Sequence, residues 1–161
     1  MVAGLLLAAS FAASAALGDC KVAEAAHDGD GLKVTCTGRT SGLKLRLADI
    51  DAPELRAFSW EDQPGAAASR DALRWLCPVN SPVEVTLITF DKRTNRWIAR
   101  ATCNEVDASE YQALNGHAWA FLPRARSKVP ALVGIARTGK LGLWADPNPV
   151  SPSVWRSKVC Q

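Results

Sequence analysis

The chain has 161 residues, enough for one domain and short for two, and its 48% apolar and 22% charged residues are those of an ordinary globular protein. The formal net charge of +3 at pH 7 permits a polyanionic partner without demanding one. There is no internal repeat, which sets aside repeat architectures, and no low-complexity tract beyond the first residues.

Residues 1–18 carry no charge and are rich in Leu and Ala. The stretch is too short for a good membrane span and reads as a signal peptide, with cleavage after Ala15 or Gly18. A basic segment ahead of it is missing, and a buried N-terminal helix is the alternative. Asp19 stands directly before Cys20, which argues against a lipid anchor. The folded domain is expected over 19–145, followed by an irregular Pro- and Ser-rich tail over 146–161.

Two short strands, 21–27 and 31–37, are predicted around the turn Asp28-Gly29-Asp30-Gly31. A third runs from about Gly42 to Ile50, where Leu43, Leu45 and Leu47 alternate with Lys44, Arg46 and Ala48. Pro53 ends it, because proline cannot donate to a strand ladder. A polar loop follows, and then a helix over Pro64 to Leu76 with proline in its first turn. Val83 to Phe90 and Arg96 to Cys103 are the fourth and fifth strands, paired across a charged turn. Asp107 to Leu114 starts on an acidic cap and stops at Asn115-Gly116. Pro130 to Thr138 is a third helix, and Leu141 to Trp144 a short closing segment. This order predicts an α+β chain, mainly β: a five-stranded OB-fold barrel with three packed helices, a layout that often hosts nucleic-acid binding.

The five cysteines form no C-x-x-C pair, and His27 and His117 are not at zinc spacing. In an oxidising compartment they can pair. Cys20 and Cys36 flank the first turn, and Cys77 and Cys103 end a helix and a strand, which makes them the two candidate bridges and leaves Cys160 over.

Asp49, Asp51 and Glu54 stand where a strand ends, a usual place for a site on a rigid scaffold. Asp30 and Asp51, at the ends of different strands, can converge on one hard cation such as calcium through oxygen ligands. Taken alone, the Asp28–Gly31 segment is simply a glycine-rich turn. Arg46 and Arg96 can grip a phosphate through two hydrogen bonds each and stabilise charge on it. Glu54 can accept a proton from an attacking water, or orient it. Alternation places Arg46 and Asp51 on opposite strand faces, so they share a site only if the chain bends near Asp49. Trp60, in the loop after the site, is the best placed tryptophan to touch a nucleotide. Trp75, Trp97, Trp119 and Trp144 are expected to pack in the core. The basic run Arg124 to Lys128 is either a solvated loop or a phosphate track.

The segments HDGDGLKV, LRLADIDAPE, DKRTNRWIA, NGHAWA and GLW, in this order, resemble the staphylococcal nuclease family. The resemblance runs from about Val22 to Trp144. It implies an OB-fold barrel with three helices and a calcium-dependent phosphodiesterase acting on DNA and RNA. By the same resemblance, Asp30 and Asp51 are the calcium carboxylates and Ala52 lends its carbonyl where the family usually has threonine. Glu54 is the general base, and Arg46 and Arg96 clamp the phosphate. Water would attack phosphorus in line and leave 3′-phosphorylated products. The turn before Arg96 is one residue longer than the family pattern and lacks its tyrosine and glycine, so Arg93 is a rival for that role or a further substrate contact. Gly31 replaces a threonine, and Phe121, Leu122 and Pro123 stand where the family tends to place tyrosines. The expected protein is a secreted or periplasmic monomer acting on nucleic acid. The rival is a non-catalytic OB module that binds nucleic acid or a protein partner.

Overall fold

The structure, a computed structural model, describes residues 15–55, 61–122, 124 and 126–159. Residues 1–14, together with Trp60 and Cys160, lie outside the described residues.

Alternation of large apolar and polar residues builds the strands. They are β1 (Ala15–Ala16), β2 (Cys20–Glu24), β3 (Gly31–Cys36), β4 (Leu43–Leu47), β5 (Ile50–Asp51), β6 (Pro82–Asp91), β7 (Arg96–Cys103), β8 (Val106–Asp107) and β9 (Trp119–Ala120). Leu32 and Val34 of β3, Leu43, Leu45 and Leu47 of β4, and Val83, Val85 and Leu87 of β6 all face the core. Ala99, Ala101 and Cys103 of β7 are completely buried, and small residues there let β6 and β4 approach from either side. Most pairings are antiparallel. β4 and β7 run parallel, with Leu45 opposite Trp97 and Leu47 opposite Ala99. β6 pairs with both β2 and β7, so the pairings β6–β2–β3–β4–β7–β6 run in a ring. The result is an α+β fold on a mostly antiparallel sheet, consistent with an OB-like fold.

There are four helices among the described residues where three were expected: α1 (Ala66–Leu76), α2 (Ala108–Leu114), α3 (Val129–Thr138) and α4 (Pro152–Val159). α1 starts two residues later than predicted, after Gly65 in the left-handed region. It buries Ala66, Ser69, Leu73 and Leu76 along one stripe. Asp107 caps α2 by accepting from the backbone N–H of Ser109 and Glu110. The tail expected to be irregular contains α4. Ser151 and Pro152 form a start signal: Ser151 Oγ accepts the Val154 N–H at 3.4 Å, and proline needs no N–H partner in a first turn.

Both expected disulfides are present, Cys20–Cys36 across the β2–β3 hairpin and Cys77–Cys103 between the end of α1 and the end of β7. Of the four tryptophans expected in the core, Trp144 is buried, and Trp97 and Trp119 are partly buried against the core. Trp75 is 73% exposed and stacks on Tyr111. It lies off the buried stripe of α1, which is defined by Ala66, Ser69, Leu73 and Leu76.

Candidate active site

β4 does not continue to Ile50 as predicted. It stops at Leu47, and Asp49 adopts a left-handed backbone with φ of 68° before β5 begins. This bend resolves the parity conflict. It turns Asp51 to the same side as Arg46, whose Nη2 donates to Asp51 Oδ1 at 2.6 Å and to the Ile50 carbonyl at 3.2 Å. Asp49 itself is structural: its buried carboxylate takes Arg100 at 3.4 Å and a close contact from Arg124. Arg124 therefore anchors the bend, and Lys128 of the same basic run pairs with Glu110 at 3.4 Å. β5 is held from the other side by β9, where Trp119 lies opposite Asp51.

Asp30 enters from the turn between β2 and β3. Its carboxylate is 3% exposed, accepts from Arg46 Nη1 at 3.0 Å, and accepts the Ala52 N–H at 2.9 Å. The turn is pinned by glycine. A Cβ on Gly29 would sit 1.8 Å from Ser69 Oγ and 2.9 Å from the Ala52 Cβ, so only glycine allows this approach to α1 and to the Ala52 strand end. Gln112 of α2 completes the knot, donating to the Gly29 carbonyl at 2.6 Å and to the Ser69 carbonyl at 2.9 Å. Ser69 in turn donates to the His117 carbonyl at 2.7 Å, which gives His117 a structural place. Gly31 leaves room for Asp28, whose Oδ1 would lie 2.6 Å from a Cβ there.

Asp30 and Asp51 thus converge on a single guanidinium, one on each arm of Arg46. Burial lifts the Asp30 carboxyl to about 7, against the opposing pull of Arg46. Burial works against the charge of Arg46 as well, but Asp30 and Asp51 more than offset it, and Arg46 holds its proton more tightly than an ordinary arginine. Glu54 follows Pro53, and its position is fixed through the backbone. Its N–H donates to Gln63 Oε1 at 3.1 Å, and its carbonyl accepts the Gln63 N–H at 2.9 Å.

Asp30, Arg46, Asp51 and Glu54 line a cleft of about 680 Å³ together with Asp91, Arg93, Thr94 and Arg96. The longer turn is ordered by Asp91, which accepts from the Arg93 N–H at 2.9 Å and from Thr94 Oγ1 at 2.7 Å. Arg96 begins β7 and is half-buried, while Arg93 is exposed on the turn; both face the same cleft. Phe121 and Leu122 close one end, and the Phe121 ring lies 5.9 Å from the Arg46 guanidinium.

Arg156 of α4 is the site residue that sequence reasoning missed. Its Nη2 donates to Asp51 Oδ2 at 3.0 Å, and its Nη1 reaches Asp51 Oδ1 at 3.3 Å and makes a close contact with Glu54. Ser151-Pro152 announces the helix, but nothing local announces a partner 105 residues away. Gln63 was missed too. It is 2% exposed and ties the site to the tail by donating from Nε2 to the Val150 carbonyl at 2.7 Å.

The donor set suits a hard cation. Two buried carboxylates close enough to share one guanidinium can share one metal ion, and all their donors are oxygens. Among the described residues no three His, Cys, Asp or Glu side chains form a metal-binding group. A cation here would complete its shell with carbonyl oxygen and water.

No protein-family model matches the chain. A Haemophilus influenzae protein described as an uncharacterized endonuclease is 30% identical over 139 residues, 85% of this chain and 72% of that protein. An Escherichia coli O157:H7 protein with the same description is 29% identical over 133 residues, 81% of this chain and 80% of its own length. The Arabidopsis thaliana staphylococcal-like nuclease CAN1 is 28% identical over 115 residues, 71% of this chain and 33% of the plant protein. The chain belongs to the staphylococcal nuclease-like family.

Proposed function

We propose that this protein is an exported, calcium-dependent nuclease that hydrolyses phosphodiester bonds of DNA or RNA on an OB-fold barrel. One observation carries the reading: Asp30 and Asp51, from separate elements, converge on Arg46 and share one cleft with Glu54, Arg93 and Arg96. Relatives described as endonucleases support the same reaction class. Two disulfides fit an oxidising compartment, and the charge-free leader at 1–18 supports export to the periplasm or beyond.

Asp30, Asp51 and the Ala52 carbonyl would hold the cation. Bound there, calcium supplies Lewis-acid neutralisation of the phosphate's negative charge. Arg46 and Arg96 grip the phosphate oxygens, and their fixed charges stabilise the additional charge that develops as phosphorus becomes pentacoordinate. Arg93, at the mouth of the cleft, binds the flanking backbone. Glu54 accepts the proton of a water attacking phosphorus in line. The 5′ P–O bond breaks, leaving a 3′-phosphate on one product and a 5′-hydroxyl on the other. The burial-raised Asp30 carboxyl fits a ligand that gains from a cation partner.

Incubation of the oxidised protein with single-stranded DNA in millimolar calcium should yield fragments ending in 3′-phosphate, and EGTA should abolish them. A folded protein that binds DNA equally in calcium and EGTA, and cleaves in neither, would instead be the non-catalytic binding module.

A further inference from the structure

Both oxygens of Asp51 are already engaged by guanidinium groups. Oδ1 accepts Arg46 at 2.6 Å, and Oδ2 accepts Arg156 at 3.0 Å. Arg156 also holds Glu54. Arg156 Nη1 also lies 3.3 Å from Asp51 Oδ1, so this one carboxylate carries three guanidinium contacts. Lone pairs remain on it, but a dication there would stand beside two fixed positive charges and compete with both for the same carboxylate. The guanidinium held less firmly would be the one to leave.

The two arginines are not equally able to do so. Arg46 stands inside β4, with paired neighbours on both sides, and its side chain is 16% exposed. Arg156 is 31% exposed, on a terminal helix joined through the segment Asp146 to Ser151, which contains Pro147 and Pro149. Among the side chains described in α4, apolar burial is modest: Pro152 is buried, Trp155 is half-buried, and Val154 is 47% exposed. Its docking therefore rests largely on the ion pairs of Arg156 and on the Gln63–Val150 tie, the profile of a segment that opens at low free energy.

We propose that Arg156 is an internal competitor for the cation site. Docked, it neutralises Asp51 and Glu54; withdrawn, it frees Asp51 to coordinate and Glu54 to take a proton. The inference rests on the calcium reading above. Metal binding and α4 docking then oppose each other at Asp51. If α4 is docked about nine-tenths of the time, the apparent calcium affinity is weakened about tenfold. Arg156 thus sets the calcium concentration at which the site becomes competent.

The test is calorimetric titration of calcium chloride, without nucleic acid, into the full-length oxidised protein and its Arg156→Gln and Arg156→Lys variants. Arg156→Gln should bind calcium about tenfold more tightly than the wild type, with Arg156→Lys in between because it keeps the charge without the fork. Calcium should also speed amide hydrogen exchange over residues 153–157 in the wild type. Equal or weaker calcium binding by Arg156→Gln, or unchanged exchange in α4 on calcium binding, overturns the competition while leaving the nuclease reading intact. Absence of calcium binding by all three proteins removes the calcium reading, and the competition with it.

Discussion

Asp30→Asn should remove the pH dependence that a buried carboxyl imposes on the metal-free protein. Burial lifts the Asp30 carboxyl from the ordinary 3.8 to about 7, so the folded chain holds this proton more tightly than the unfolded chain. The associated stability is complete below about pH 4 and is lost as pH rises through about 7. A rise of that size corresponds to roughly 4 kcal/mol at most. That is a large share of a typical domain stability of about 5–15 kcal/mol. Asparagine keeps an acceptor for the Ala52 N–H and has no charge to strand. Urea denaturation in EGTA, from pH 4.5 to 8.5, should therefore show the variant gaining on the wild type by about 2–4 kcal/mol across the range. Millimolar calcium should flatten the wild-type profile, because a cation beside Asp30 favours its ionised form. Parallel wild-type and variant profiles in EGTA would show that burial does not raise the Asp30 carboxyl.

Gln63→Leu should uncouple the tail from the site. It removes the acceptor of the Glu54 N–H and the donor to the Val150 carbonyl. The expected stability loss is about 2 kcal/mol by denaturant unfolding, with a lower kcat for cleavage because Glu54 is less well placed. Replacing Cys77 and Cys103 by serine opens a link spanning 26 residues and should cost about 3.5 kcal/mol in urea unfolding on the chain-entropy account.

Much of this structure is legible in the sequence because local rules suffice for it. The turn at Asp28–Gly31 and the flanking cysteines specify the β2–β3 hairpin and its disulfide. β7 spans Arg96–Cys103 as the alternation predicts, and Asp107 caps α2 as an acidic N-cap should. Even the bend at Asp49 is implied, since Arg46 and Asp51 cannot meet without it. What escapes is long-range and polar. Ser69, Gln63 and Gln112 look like surface residues, yet each is buried because a backbone group of a distant loop needs a partner. Trp75 looks like core but sits on the outer side of α1. Arg156 carries no local mark of its role, because its meaning comes from two carboxylates more than a hundred positions earlier in the chain. The bent strand between Leu47 and Asp51 also hides how far the apolar pattern runs: Ala48 and Ile50 are buried, but the ladder has already broken.

The role of Glu54 is tested by single-turnover cleavage of single-stranded DNA by the wild type and Glu54→Gln side by side, in calcium and in EGTA. The wild type should cleave only in calcium, and the variant should lose about 100-fold or more of that rate while still binding DNA. Equal cleavage by the two proteins in calcium would contradict the assignment of Glu54 as the base and, with it, the proposed mechanism.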